Sequence, residues 1–196
     1  MPYQLENFFP GDRQYSFKKN EAIKLFQSIV SVATRAEIAL RRVGIDQNEM
    51  ARFNRWFGPP GPNNAHLNEV KQNMKKIISS VMTRTIIIRN SGDGAGAEIN
   101  PATGRRRSGA EIDDVAYVRP HLNNLKVYLL PAFFTHHQTN QFTGAGVVFH
   151  ELSHMFANTD DHCYMVPRCR QLAQTQPNLA RKNADNYRLY FEEFSR

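Results

Sequence analysis

Hydrophobic positions recur at helical spacing over residues 17–43, where Ile23, Phe26, Ile29, Val30, Ala33, Ile38 and Leu40 fall mainly on one side of a helix. Gly44 is a natural stop, because a residue without Cβ enters the left-handed conformation that ends many helices. The pattern predicts a second, short helix over 47–57, halted by Gly58-Pro59-Pro60-Gly61-Pro62. A third runs over 65–82, with Leu67, Val70, Met74, Ile77, Ile78 and Val81 at helical spacing. The period then changes. Thr85-Ile86-Ile87-Ile88 is short and β-branched, which predicts a strand. A Gly-rich loop follows to about Asp114, and residues 115–118 and 126–130 predict two more strands. Residues 142–157 return to helix, and after a polar turn 167–175 and 177–194 predict two closing helices. Helices on both sides of a small sheet define an α+β class, mostly helical.

Length and composition narrow this little. The 196 residues suffice for one domain with a real core, or at most two small ones. With 41% hydrophobic and 22% charged residues, the composition excludes a disordered chain. The formal net charge of +7 favours acidic partners, whether nucleic acid, a membrane surface or acidic protein, and also serves solubility alone. Residues 1–16 show no basic start, long apolar stretch or small-residue cleavage site. The most apolar run, LKVYLLPAFF, is too short to cross a bilayer and contains Pro131. The expectation is a soluble protein with no transmembrane segment, secreted or delivered by a route without an N-terminal signal peptide. Cys163 and Cys169 are too few for a disulfide scaffold, and their separation permits either a local bridge or free thiols.

The chemistry concentrates in His150-Glu151-Leu152-Ser153-His154, an H-E-x-x-H motif inside the 142–157 helix. Residues four apart share a helix face, so both imidazoles reach one metal ion. Zinc lowers the pKa of bound water from 15.7 to about 7, and Glu151, beside the first ligand, is placed to take the proton. The bland reading is two exposed histidines satisfied by water; the apolar GAGVVF ahead of the motif and the carboxylates after it favour a buried metal-binding helix. A catalytic zinc needs a third protein ligand. Residue types alone leave Asp160, Asp161, His162, Glu192 and Glu193 open.

HELSH followed by Asn158-Thr159-Asp160-Asp161-His162-Cys163-Tyr164 resembles the aspzincin metallopeptidases, the deuterolysin and peptidyl-lysine endopeptidase group, whose pattern is H-E-x-x-H, then G-T-x-D and a nearby tyrosine. Trp56-Phe57-Gly58, Tyr117-Val118-Arg119-Pro120 with Val127-Tyr128-Leu129, and Asn183-Ala184-Asp185-Asn186-Tyr187 resemble further family segments, in family order. The resemblance covers about residues 50–195. It implies a zincin-like fold with a small sheet beside the H-E-x-x-H helix, and one zinc held by His150, His154 and Asp161. It implies Glu151 as general base and Tyr164 as donor to the oxyanion of the tetrahedral intermediate. Asn158 stands where the family has glycine before Thr159, and Met165 where it has glycine after the tyrosine. In lysine-specific members the aspartate matching Asp185 lines the pocket for a substrate lysine, with an acidic residue one turn later; here that later position is Arg188, which at three residues' spacing pairs with Asp185 and cancels its charge. Asp185 and Arg188 are the candidate substrate-binding residues. The other reading of Asp185 is a helix-start or buried hydrogen-bonding role.

The reading adopted is a zinc-dependent endopeptidase acting on protein or peptide, with residues 1–49 as an N-terminal helical extension packed on a catalytic part of 50–196; nucleic acid is not an expected partner. The rival is a basic nucleic-acid or protein-binding module with a structural zinc closed by a fourth ligand, His162 or Cys163. Other features carry bland readings. His136-His137 and Arg105-Arg106-Arg107 suit polar loops, and Phe133-Phe134, after a strand, suits core packing or an edge that receives an extended peptide.

Overall fold

The computed structural model describes residues 3–7, 19–84, 86–90, 115–118, 125–130, 132–133 and 143–195. The expectations placed on Thr85, Arg105–Arg107, Arg119-Pro120, Pro131, Phe134, His136-His137 and Phe142 fall outside these residues.

Strand β1 (Tyr3–Asn7) opens the fold, followed by helices α1 (Lys19–Arg42), α2 (Gln47–Phe57) and α3 (Ala65–Thr83). Strands β2 (Ile86–Asn90), β3 (Ala116–Val118) and β4 (Lys126–Leu129) come next, then helices α4 (Gly144–Ala157), α5 (Val166–Thr175), α6 (Pro177–Ala180) and α7 (Ala184–Glu192). The described strands form one sheet in the order β1-β2-β4-β3. β1 and β4 both run parallel to β2, whereas β3 runs antiparallel to β4, pairing Tyr117 with Tyr128. The α+β, mostly helical class with a small sheet beside the H-E-x-x-H helix is therefore borne out.

Local chemistry explains the boundaries. Asp46 caps α2 by accepting from the N–H groups of Asn48 and Glu49, at 2.8 and 3.2 Å. Gly58 ends it at φ 73°, with no room for a Cβ beside the Ala173 carbonyl and Pro177. Three sequence expectations shift. The buried face of α1 is lined by Ala22, Leu25, Ile29, Val32, Ala33, Ala36, Ala39 and Leu40, while Ile38 is 56% exposed and Ile23 also faces out. The single closing helix expected over 177–194 is two, α6 and α7, separated by a turn at 181–183. Finally, β1 was not expected; it extends the sheet beyond β2.

The core gathers around α4, which packs on α1, α3, α7 and β3. Phe149 of α4 stacks on Phe191 of α7 with ring centroids 4.2 Å apart. Both are fully buried, which stabilises the fold by roughly 1.5–3 kcal/mol for each side chain. Phe133 is buried in the same core. β4 has neighbours on both sides, so among the described strands β3 is the outermost one next to α4.

Candidate metal centre and active site

Helix α4 is apolar for its first six residues and buried through Ser153, so its histidines emerge from the core rather than from a free surface. Its start is fixed by Thr143, whose hydroxyl accepts from the Gly146 N–H at 2.9 Å. Glu192 of α7 closes the same end, accepting from the Thr143 N–H at 3.0 Å and pairing with Arg188 at 3.2 Å. A carboxylate suits the positive end of a helix dipole. Gly146 suits this packing, since a Cβ there would meet the Glu192 carboxylate, which Arg188 and the Thr143 N–H hold in place.

His150 and His154 are locked in matching tautomers. The His150 Nδ1–H donates to Asp185 Oδ1 at 3.1 Å, and the His154 Nδ1–H donates to the Thr159 carbonyl at 2.7 Å. Neither oxygen has a proton to give, so Nδ1 must be the donor in both rings. Each Nε2 is thereby left facing a common point. The two Nε2 atoms stand 3.3 Å apart, and Asp161 Oδ1 lies 3.1 Å from the first and 3.6 Å from the second. Ligand atoms at the corners of a tetrahedron with bonds of about 2.0–2.1 Å are separated by roughly 3.3 Å, so the three atoms fit zinc. Among the described residues this is the cluster that gathers to hold a metal.

The other third-ligand candidates go elsewhere. Asp160 pairs by its backbone with residues 182–184, and its side chain is exposed. His162 is exposed and gives its N–H to Asn183. Glu192 closes α4 as described, and Glu193 binds Arg52, Arg55 and the Trp56 indole N–H. Cys163 turns to Cys169, with sulfur atoms 3.2 Å apart.

The Asp161 loop is shaped by three features. Asn158, standing where the family has glycine, takes the left-handed conformation (φ 51°) that glycine favours. Thr159 bonds Ser153 at 2.8 Å and supports His154. Asn183, fully buried, accepts from the N–H groups of His162 and Cys163 at 2.8 and 3.1 Å and donates to the Cys163 carbonyl at 3.1 Å. Sequence reasoning assigned no role to Ser153 or Asn183; the N-A-D run around Asn183 was the available signal. Met165 sits at φ 70°, ψ 149°, a region that suits glycine, and its N–H donates to Asp185 Oδ2 at 3.0 Å.

Electrostatics follow from the same contacts. Burial disfavours a charged His150, yet the carboxylates of Asp161 and Asp185 on its two nitrogens, with Glu151 nearby, hold its pKa up to about 10. Burial likewise works against ionised Asp161, but the His150 hydrogen bond prevails and holds its carboxyl below the ordinary range. Burial and the adjacent Asp161 carboxylate keep the Tyr164 hydroxyl protonated far above neutral pH. The Tyr164 ring lies over His150 at 6.2 Å, nearly parallel, and is 51% exposed. Glu151 is buried beside His150.

Asp185 and Arg188, the expected substrate-binding pair, are buried beside His150. Asp185 is 2% exposed and Arg188 8%. The Arg188 guanidinium spans both Asp185 oxygens at 2.5 and 2.8 Å. Burial opposes the charge on Asp185, and the Arg188 and His150 hydrogen bonds overcome it, holding the carboxyl well below its ordinary range.

Comparison with known proteins agrees in sequence and in fold. Residues 43–192 match the aspzincin family, described as lysine-specific metallo-endopeptidase. An extracellular protease of Aeromonas hydrophila is 30% identical over 153 residues, covering 77% of this chain and 38% of that protein. A peptidyl-Lys metalloendopeptidase of Armillaria mellea is 38% identical over 85 residues, covering 42% of this chain and 24% of that protein. The chain thus spans well under half the length of these curated relatives. A zinc peptidase from Grifola frondosa has the same fold, with a TM-score of 0.66 over 90% of this chain and 97% of that one, at 23% identity.

Proposed function

We propose that this chain, which belongs to the aspzincin family of metallo-endopeptidases, is a zinc-dependent endopeptidase. The observation that carries the proposal is the convergence of His150 Nε2, His154 Nε2 and Asp161 Oδ1 at tetrahedral ligand spacing, on rings whose other nitrogens are already committed.

His150, His154 and Asp161 would hold the ion. When bound, zinc supplies Lewis acidity, which acidifies water and polarises the substrate carbonyl. Glu151 accepts the proton of the attacking water at its carboxylate and returns it to the leaving amine nitrogen. Tyr164, half exposed and hydrogen-bonded to Asp161, turns its O–H to the carbonyl oxygen as negative charge grows there. Its raised pKa supports the role, since a donor must keep its proton.

The geometry supports another part for Asp185 and Arg188 than binding a substrate lysine. Asp185 orients His150 and Arg188 neutralises Asp185, so we do not carry over the lysine preference in the family's description. The name of the Aeromonas relative supports action outside the producing cell, and among the described residues no helix is long and apolar enough to cross a membrane.

Purified protein should bind about one zinc per chain and cleave an unfolded protein substrate. Glu151→Ala should keep the metal and lose about 10²–10⁴-fold in kcat/KM. Asp161→Ala should lose the metal. A Glu151→Ala variant that cleaves as fast as the parent ends the assignment of the base.

A further inference from the structure

Cys163 and Cys169 are six residues apart, and their sulfur atoms stand 3.2 Å from each other, closer than two unbonded sulfurs ordinarily rest. Both are free thiols here. Cys169 is fully buried in the first turn of α5, and Cys163 lies half-buried in the loop between Asp161 and Tyr164. The Asn183 amide nitrogen faces both sulfurs, at 3.4 and 3.6 Å. Asn183 also grips the backbone of Cys163 at two points, its N–H and its carbonyl, so the loop is presented to α5 in one fixed register. Between the two cysteines runs Met165, whose backbone occupies a conformation unfavourable for any residue with a Cβ.

We infer that Cys163 and Cys169 form a reversible disulfide that fastens the loop carrying Asp161 and Tyr164 to α5. Bond formation needs the sulfurs to close by roughly 1.2 Å, to a length of about 2.05 Å, which rotation of the half-buried Cys163 side chain supplies. The oxidant is a low-molecular-weight disulfide. One cysteine attacks it and releases one small thiol; the second cysteine attacks the mixed disulfide and releases the other. The two protein thiols give up two protons and two electrons, which end in the two small thiols, and one S–S bond replaces another. The cross-link closes a short loop across the strained Met165 segment. It thereby holds Tyr164 over His150, on a loop that in the reduced form is tied down by its hydrogen bonds to Asn183 and Asp185.

The effect on catalysis rests on the peptidase reading above, whereas the covalent and thermal readings do not. Zinc-loaded full-length chain is equilibrated with oxidised glutathione, quenched in acid, and alkylated in denaturant before intact-mass measurement. The expected product has lost the mass of two hydrogens and takes no alkylating agent. Adding a phosphine reductant to the oxidised protein should restore two alkylatable thiols and lower Tm by about 5 °C. The same reductant should leave the Tm of Cys163→Ser unchanged. In peptide cleavage, reduction should lower kcat several-fold with the zinc content unchanged. The inference is overturned if both thiols still alkylate after equilibration, if each sulfur carries its own glutathione, or if reduction leaves Tm unmoved. Loss of the mass and thermal effects with cleavage intact rejects the disulfide alone. Their presence without any cleavage rejects the peptidase reading instead.

Discussion

A carboxylate behind a metal-facing histidine fixes the ring and raises its basicity, and Asp185 stands in that relation to His150. Asp185→Asn should keep the shape of the site while removing the charge, and zinc affinity should fall 10–100-fold in a competition titration with a chelator. Stability should fall as well, because the buried Arg188 then keeps Glu192 as partner but loses the carboxylate its guanidinium spans. The same contacts set the pH behaviour. Without metal, His150 keeps its extra proton up to a pKa of about 10, so at pH 7.5 zinc must displace it from Nε2. Zinc uptake should therefore release about one proton from this ring, and affinity should weaken as pH falls. Calorimetry in buffers of different ionisation enthalpy reads the proton directly; uptake with no release at pH 7.5 would contradict the charge assigned to His150. The two histidines were legible in the sequence because a spacing of four residues fixes their relation on any helix. Asp161 was legible only by resemblance, since a loop residue's direction depends on Asn158 in its left-handed conformation and on Asn183 from another segment.

Helix α4 is held in place by its neighbours more than by its own sequence. Its start contains two glycines, poor helix formers, yet Glu192 and Thr143 close that end. Gly146→Ala raises intrinsic helix propensity, so an isolated-helix argument predicts stabilisation. The Cβ instead meets a Glu192 carboxylate already pinned by Arg188 and the Thr143 N–H. We expect a loss of about 1–3 kcal/mol, read as a lower midpoint in urea unfolding. The helix limits of α2 and α3 were nearly fully visible in the chain, because Gly44, Gly58 and the proline cluster are strong local punctuation. The break between α6 and α7 was not visible. Arg181-Lys182-Asn183 contains no glycine or proline, and the interruption exists because Asp160 pairs with that turn. β1 offered only the alternation Tyr3-Gln4-Leu5-Glu6, too short to separate from chance.

At the level of the whole molecule, charge bears on what the site attracts. The chain carries +7, and the carboxylate nearest the histidines from α7 is neutralised by Arg188. Both features disfavour a cationic side chain beside the cut. Products of a mixed peptide library should show no enrichment of lysine next to the cleaved bond, and cleavage of acidic peptides should slow as salt rises. Strong lysine enrichment would mean that Arg188 leaves Asp185 when substrate arrives. The fold class was readable from the change of period along the chain, whereas the sheet order was not, since β1 and β4 reach β2 only through long crossovers. The grip of Asn183 on the Asp161 loop has a temporal side. The loop and its latch are translated some twenty residues apart, and the latch turn is itself seated by Asn186 on the Trp56 carbonyl. A nascent chain still short of this turn has both histidines but lacks the latch on their third companion, so the proposed metal site is completed only when synthesis has passed residue 186.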